Sequence, residues 1–536
     1  MIVLGIHGGV TLGQHESAAA LVVDGRVRAL CEEERYARIK SAYGMLPLAA
    51  IRACLTQANL RIENVDLVVS PGATYADHAA RIESLMRHNF GHSPRVELVH
   101  HQQAHLATAF YASGLEEALC LSIDASGDGD CCHVGFAKRG EGIKLLEAVP
   151  NDNSLGFFYT LMTHFLGFTD GDEYKVMGLA PYGEDTVDMS AVVRPTATGW
   201  RFDRRHVRSR PPLRSPFEPM YAPALTDILG PARVPGQEYG QHYRNVARST
   251  QAAFERCLMA KAKYVSSLSP GTRALCFAGG AALNCSANRV LRNSGLFEEV
   301  YVPPVSSDRG LALGCAYLGA ASFGDRPWQL WNAFLGDAYG DAAIRAELDA
   351  NGSRYVEVGH PAEAAAELLA QGKIIGWHQG RSEAGARSLG GRSILASCSE
   401  PGMKDRVNAR IKYREEFRPF APAALASHAG ELFDTGGGDF PYMCFTVDAL
   451  PGAAARVPAV VHVDGTARLQ TVRSSDNELF HEVIRLYRCR TGIPAVLNTS
   501  FNLKGQPIVE TPRDALMTFH GCGLDALVVG SFVVSK

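Results

Sequence analysis

His101 and His105 stand four positions apart in "VHHQQAHLATAFYASG", a run of helix formers. On a helix that spacing puts both imidazoles on one face, one turn apart, which suits a bound metal ion. The residues between them are Gln102, Gln103 and Ala104, so the general-base glutamate of H-E-x-x-H is missing and a zinc-protease reading fails. Asp124 closes the apolar run "LCLSID", and Asp308 lies in "PPVSSDRGLALGCA". Two histidines with two such carboxylates make a mixed nitrogen and oxygen set, suited to Fe(II), Mn(II) or Zn(II) rather than to a metal that prefers thiolates. Beside nucleotide phosphates, such an ion would neutralise charge and polarise the bond being broken.

Glycine-rich pieces fit that nucleotide. "DASGDGD" offers backbone donors at Ser126 and Gly127, next to Asp124. "FAGGAALNCSAN" sets Gly279 and Gly280 between a strand and a helix, where amides and the helix dipole favour anions. Lys175, in "DEYKVMGLAPYG", is a candidate for the same cleft. Neither G-x-G-x-x-G nor the P-loop pattern occurs, which excludes those two phosphate grips. The C-terminal part carries a second density of cations: Arg381, Arg387, Arg392, Lys412, Arg414, Arg418 and Arg468, with Asn498, Thr499 and Ser500 after a strand. Guanidinium forks with short hydroxyl and amide donors suit a small phosphorylated or carboxylated substrate. Interleaved Glu383, Glu415 and Glu416 offer the alternative of surface salt bridges.

The elements that must position these groups repeat. "IVLGIHGGV" followed by "SAAALVVDGRVRALCEEER" reads as a strand, a polar loop and a hairpin turning at Asp24-Gly25. "LCLSIDASGDGDCCHVGFAKRGEGIKLLEAV" gives the same order further on. The duplication predicts an α/β domain of the actin/sugar-kinase/Hsp70 type, whose two hairpins hold phosphates between lobes. Residues 186–240, rich in Pro and Arg, read as a long excursion beside the site. The restart at "GDAYGDAAIRAEL" places a domain boundary near 350, giving domains 1–350 and 351–536, the second a mixed α/β unit.

Composition agrees with a globular protein. The chain has 536 residues, 46% hydrophobic and 20% charged, with a net charge of -3 that lacks the basic stripe of a nucleic-acid binder. The start "MIVLGIHGGV" has no basic n-region and is expected to be a strand rather than a signal peptide. No apolar run reaches the ~18 residues of a membrane span. Thirteen scattered cysteines without a C-x-x-C pair predict buried free thiols, adjacent Cys131 and Cys132 included, in a reduced cytoplasmic protein.

Taken in order, "HESAAALVVDG", "EEERYARIK", "HHQQAH", "IDASGDGD", "EYKVMGLAPYG", "GGAALNCSAN", "SSDRGLALGCA", "GARSLGGRSILA", "MKDRVNARIKYREEFRPFAP", "HVDGTARLQTV" and "NTSFNLKGQPIVETPRDAL" resemble the NodU/CmcH/TobZ family of O-carbamoyltransferases. The resemblance implies an N-terminal domain like the tRNA threonylcarbamoyl-transferring protein and a YrdC-like C-terminal domain. It implies two linked reactions: carbamoyl phosphate gives carbamate and phosphate, and carbamate with ATP (and Mg) gives carbamoyl-adenylate. A hydroxyl of a small natural product or sugar then attacks, forming a carbamate ester and AMP. Carried over by motif, His101, His105, Asp124 and Asp308 would hold Fe(II). Ser126, Gly127, Lys175, Gly279, Gly280 and Asn284 would bind ATP. Arg387, Lys412, Arg418, Arg468, Asn498 and Ser500 would hold carbamoyl phosphate. His15 and Lys40 would lie near the activated carbonyl, with His15 as base.

The chain departs from the family's pattern at several points. His15 is followed by Glu16 where aspartate is usual, His7 is additional, and Ser382, Ala384 and Ala386 replace bulkier residues or proline. Two other classes fit parts of the pattern. One is a carbamoyl-type transferase acting on tRNA or a protein thiol. The other is a non-enzymatic ATP-binding sensor, for which the second cation cluster is unnecessary. The acceptor and any homo-oligomeric state stay open.

Overall fold

The computed structural model describes residues 1–11, 13–208, 219–330 and 332–536, and its contacts divide the chain into two compact units. The first comprises Met1–Arg28, Tyr43–Ile51 and Ala58–Leu330. Its first sheet contains β1 (Ile2–His7), β2 (Ala18–Val23), β3 (Arg26–Glu32), β4 (Leu67–Pro71) and β5 (Arg95–Val99), in the order β3-β2-β1-β4-β5. A second sheet begins with β6 (Glu117–Gly127), β7 (Asp130–Lys138) and β8 (Gly142–Pro150). The excursion adds a ribbon, β9 (Val193–Thr196) with β10 (Gly199–Phe202), and β11 (Ala274–Ala278) and β12 (Glu299–Tyr301) complete the second sheet as β12-β11-β6-β7-β8.

The two sheets are the same construction. Each is an antiparallel three-stranded meander whose first strand then pairs in parallel with a later strand, itself paired in parallel with another. The hairpins read from the sequence are therefore duplicated in topology as well as in residue pattern. In the β6–β7 ladder the register shifts between Ile123 and Gly127. A bulge of this kind re-aims side chains at a strand end, and Asp124 lies inside it.

Two almost fully buried helices, His101–Ser113 and Leu311–Ser322, fill the space between the sheets. The first packs on β6, β7 and β11, the second on β1, β2 and β4, and each packs on the other. A helix that is apolar on all sides has this interior location available to it. The helices touch backbone to backbone at Gly314, where an added Cβ would lie 2.0 Å from the Ala104 carbonyl oxygen and 2.5 Å from Thr108 Oγ1.

The second unit comprises Ala29–Ala42, Arg52–Gln57 and Trp331–Lys536. It is a mixed sheet flanked by helices. Its strands are β13 (Tyr355–Glu357), β14 (Ile375–His378), β15 (Arg392–Ala396), β16 (Ala421–Leu425), β17 (Val447–Asp448), β18 (Thr466–Ala467), β19 (Gln470–Val472), β20 (Ala495–Ser500), β21 (Ala526–Val529) and β22 (Phe532–Ser535). Eight of them form one sheet, β13-β22-β21-β14-β15-β20-β16-β19, and β17 pairs with β18. The divide thus falls before residue 350, and early segments join the second unit. The cause is hydrogen bonding: Arg35 Nη2 donates to Gly385 O at 2.9 Å, Gln57 Nε2 donates to Asp337 Oδ1 at 2.7 Å, and Gly336 N donates to Ser382 O at 2.9 Å.

Among the described residues every cysteine is a free thiol, and all but Cys444 and Cys489 are buried. Burial pushes the Cys132 thiol up to about 12, which fits a packing role for the Cys131-Cys132 pair. No described helix is long and apolar enough to cross a membrane. Within the excursion, residues 209–218 lie outside the described residues; the remainder includes the β9–β10 ribbon, which packs on the helix Gln241–Leu268.

The helix contact yields a prediction. Gly314→Val should cost about 1–3 kcal/mol through overpacking, lowering Tm, whereas Gly271→Ala, with open space around it, should leave Tm unchanged. Thermal melts of both variants check this.

Candidate metal centre and cation-rich site

His101, His105, Asp124 and Asp308 converge, each offering one ligand atom, all within 4.8 Å of one another. His105 Nε2 lies 3.1 Å from Asp124 Oδ2, 3.2 Å from His101 Nε2 and 3.4 Å from Asp308 Oδ1. His101 Nε2 lies 3.2 Å from Asp124 Oδ2 and 3.5 Å from Asp308 Oδ1. Ligands about 2.0–2.1 Å from a shared centre stand about 3.3 Å apart in a tetrahedral set, so the four atoms fit a common divalent ion. Bringing two carboxylates together in the interior requires compensating positive charge, which a divalent ion or the protonated imidazoles can supply.

Each ligand is set by its element. His100 caps the helix, its side chain accepting from Gln102 N, and the helix then presents His101 and His105 one turn apart. Asp128 accepts from His101 N at 2.8 Å, Gly72 N at 3.0 Å and Thr74 Oγ1 at 2.9 Å, tying the helix start to the loop after β4. Asp124 turns Oδ2 toward the imidazoles while Oδ1 accepts from Ala125 N at 2.8 Å and Gly280 N at 3.3 Å. Gly127 packs over the His101 ring, where a Cβ would come within 2.2 Å.

Protons compete for the same atoms. Burial pulls the His101 pKa down, but the charge of Asp308 and hydrogen bonds to Asp124 and Asp308 push it up to about 10. Against the same burial, hydrogen bonds to the two aspartates raise His105. Burial and mutual repulsion oppose ionisation of the carboxylates, yet the imidazoles hold Asp124 below the usual range and Asp308 well below it. Up to two protons and one divalent ion are therefore equivalent in charge at this centre.

A second cluster, His100, Asp130 and His133, has a different character. His100 Nδ1 accepts the Gln102 amide at 3.2 Å, which leaves the neutral ring's proton on Nε2, 3.4 Å from Asp130 Oδ2. His133 Nε2 lies 2.9 Å from the same oxygen, and the two rings stack with centroids 4.5 Å apart. Both rings thus converge on the one carboxylate oxygen of Asp130.

The other expected nucleotide contacts are distributed differently. Gly279 N donates to Ser306 O at 2.7 Å and Gly280 N to Asp124 Oδ1 at 3.3 Å. Asn284 caps the helix Cys285–Arg292 and exchanges two hydrogen bonds with Gln251. Lys175 pairs with Asp172 Oδ2 at 2.9 Å and lies over the Phe168 ring. Ser126 is exposed at the end of β6. His15 stands beside Tyr43, with ring centroids 5.1 Å apart. Lys40 belongs to the second unit, where its charge helps lower the pKa of Lys412.

In the second unit, Lys412 ends a π-helical turn, Asn408–Lys412, and its buried ammonium donates to oxygens of Ser500 and Asn502, including Asn502 Oδ1 at 2.8 Å. Burial, then Arg414 and Arg418, lower its pKa well below the lysine range. Asn498 Nδ2 donates to Ser388 O at 3.1 Å and Gln470 Oε1 at 2.9 Å, and Gln470 donates to Leu389 O. This chain joins the neighbourhoods of Arg387, Arg468 and Asn498, while Arg418 lies 3.6 Å from Glu415 Oε2. Part of the cation density is structural. Arg392 is fully buried and donates to carbonyls of Gln379, Gly380, Asp337 and Glu510, and Arg381 donates to those of Gly336 and Leu335. Glu383 accepts backbone amides of Leu389, Gly391 and Arg392, which sets aside a surface salt-bridge role for it.

Fold and site together define a two-unit α/β protein with a buried cluster of two histidines and two aspartates in a duplicated sheet pair. A family model described as Carbamoyltransferase N-terminus matches residues 72–317, and one described as Carbamoyltransferase C-terminus matches residues 366–536. Nodulation protein NolNO of Sinorhizobium fredii is 36% identical over 596 residues, covering 100% of this chain and 83% of the relative. Nodulation protein NolO of Bradyrhizobium diazoefficiens is 38% identical, covering 82% of this chain and 79% of its own. Nodulation protein U of Rhizobium tropici is 42% identical over 44% of this chain and 40% of its own. The chain belongs to the carbamoyltransferase family, and its reaction is carbamoyl transfer. A non-enzymatic sensor is thereby excluded.

The proton competition predicts a pH dependence. Higher pH removes the competing protons, so Zn(II) or Co(II) affinity should strengthen as pH rises from about 6.5 toward 10. In the metal-free protein the raised His101 pKa contributes stability that is complete below 6.5 and lost as pH rises through about 10. Calorimetry in buffers of different ionisation enthalpy should show proton release on binding; pH-independent affinity without release would contradict the assignment.

Proposed function

We propose that this enzyme is an ATP-dependent O-carbamoyltransferase that uses carbamoyl phosphate and modifies a hydroxyl of a small natural product or sugar. The observation that carries the reading is the full-length match to a nodulation carbamoyltransferase relative, with all four expected metal ligands brought within 4.8 Å. In this reading the first unit is of the actin/sugar-kinase type, in keeping with its repeated strand order, and the second is YrdC-like.

The second unit binds carbamoyl phosphate through Arg387, Arg418 and Arg468. Lys412 and Asn498 hold the backbone around them. Water cleaves the P–O bond, giving phosphate and carbamate. Carbamate oxygen then attacks the α-phosphate of ATP in the first unit, expelling pyrophosphate and forming carbamoyl-adenylate. An acceptor hydroxyl attacks the carbamoyl carbon, its proton passes to His15, and AMP leaves. His101, His105, Asp124 and Asp308 would hold a divalent ion, Fe(II) among the candidates, which would supply positive charge toward the phosphates. In this reading Ser126, which is exposed two residues beyond Asp124, meets the nucleotide.

Two measurements test this. Pyrophosphate release from ATP should require carbamoyl phosphate, and Arg418→Ala should lower that release about 10- to 100-fold, as expected for a lost charge-assisted contact. Supplying carbamoyl-adenylate should restore acceptor modification, because Arg418 is not in the first unit. His15→Asn should slow transfer from carbamoyl-adenylate about 10²-fold or more while adenylate formation stays near normal. Equal loss in both half-reactions would contradict the base role.

A further inference from the structure

Glu16 follows His15 in the turn before β2, with φ +56°, a left-handed backbone uncommon for a long side chain. Its carboxylate reaches the two neighbours of Asp308. Oε2 accepts the Ser307 hydroxyl at 2.6 Å, and Oε1 pairs with Arg309 Nη2 at 2.9 Å. All three groups are largely buried, and Asp308 lies between the two contacts at the start of a single 3-10 turn, Asp308–Gly310. The same loop is tied to Asp308 from its other side. His7 Nε2 donates to His15 O at 3.0 Å and lies 3.6 Å from Asp308 Oδ2.

Of the four expected ligands, Asp308 is the one supplied by a short turn rather than a long helix or a strand end. A turn of three residues does not by itself fix a carboxylate to the tolerance that a shared ion demands. We infer that Glu16 is a positioning residue for the metal centre, clamping Ser307 and Arg309 so that Asp308 is held toward His101 and His105. The inference rests on the reading of those four residues as metal ligands. It gives the position where this chain has Glu rather than Asp a task at the metal centre, not at the acceptor.

The test is Co(II) binding to the full chain, followed by calorimetry and by the visible Co(II) absorption bands. Glu16→Gln keeps the side-chain length and removes the charge; Glu16→Gly removes the carboxylate and relieves the left-handed backbone. Both should bind Co(II) about 10- to 100-fold more weakly than wild type, the usual effect of losing an outer partner of a ligand, with unchanged circular dichroism and altered Co(II) bands. Ser307→Ala, which loses one oxygen, should weaken binding in the same direction and carries the test if the Glu16 variants do not fold. Glu16→Gln within twofold of wild type would overturn the inference. So would tight binding by Glu16→Gly, which would assign the effect to backbone strain. His105→Ala separates the two readings: if it binds Co(II) like wild type, the four-ligand centre itself falls, and the role of Glu16 with it.

Discussion

The first unit depends on one contact, the approach of two helix backbones at Gly314 and Ala104. His101 and His105 flank Ala104, and Asp308 lies at the turn that leads into the partner helix. Any side chain at Gly314 would push these elements apart by more than the tolerance of the ligand set. Each helix is held in turn by its own sheet, and the two sheets share one strand order, so the ligands are carried by equivalent halves of a duplicated scaffold. Asp124 enters from the bulged end of β6, between the two helices' contributions.

Around that contact the interior is organised by charge. Isolated buried carboxylates and imidazoles are costly, and the expense falls only when opposite charges and hydrogen bonds surround them. The centre meets this condition in layers. The four ligands neutralise one another, and backbone amides from Gly280 and Ala125 hold the outer oxygen of Asp124. Asp128 binds the start of the histidine-bearing helix. In the second unit the same rule yields a different result. There Arg392, Arg381 and Lys412 are satisfied largely by carbonyl oxygens, so these cations hold loops together.

The legible parts of the sequence were those whose signal is local. The H-x-x-x-H spacing, the apolar strands ending in Gly/Asp turns and the repeated hairpins each lie within a few tens of residues, and all are present in the structure. Asp124 was legible because it closes an apolar strand at a Gly-rich turn, and Asp308 because it opens the apolar run that follows it. Roles that depend on a distant partner were not. Asn284 caps the helix Cys285–Arg292 and pairs with Gln251, and the Gly279 and Gly280 amides donate to Ser306 and Asp124, partners that no local pattern announces. Nothing near Lys40 in sequence indicates its membership of the second unit, which is decided by residues hundreds of positions later. Asp128 was passed over, and Glu16 was singled out only as a departure at the acceptor side, because a carboxylate that binds backbone or a neighbouring side chain carries no spacing pattern of its own.

The discontinuity of the second unit bears on how the chain is made. Arg35 donates to Gly385, 350 residues later in the chain. At 5–20 residues per second, roughly 20–70 s of synthesis separate the two partners. During that interval the segment Ala29–Ala42, with its buried arginine and glutamates, has left the ribosome without the sheet that will shield it. Its high charge, Glu32 to Arg35 in succession, suits such a wait, since a charged stretch stays hydrated where an apolar one would seek other partners. Heterologous production of residues 331–536 alone would omit a piece of that unit's own interior.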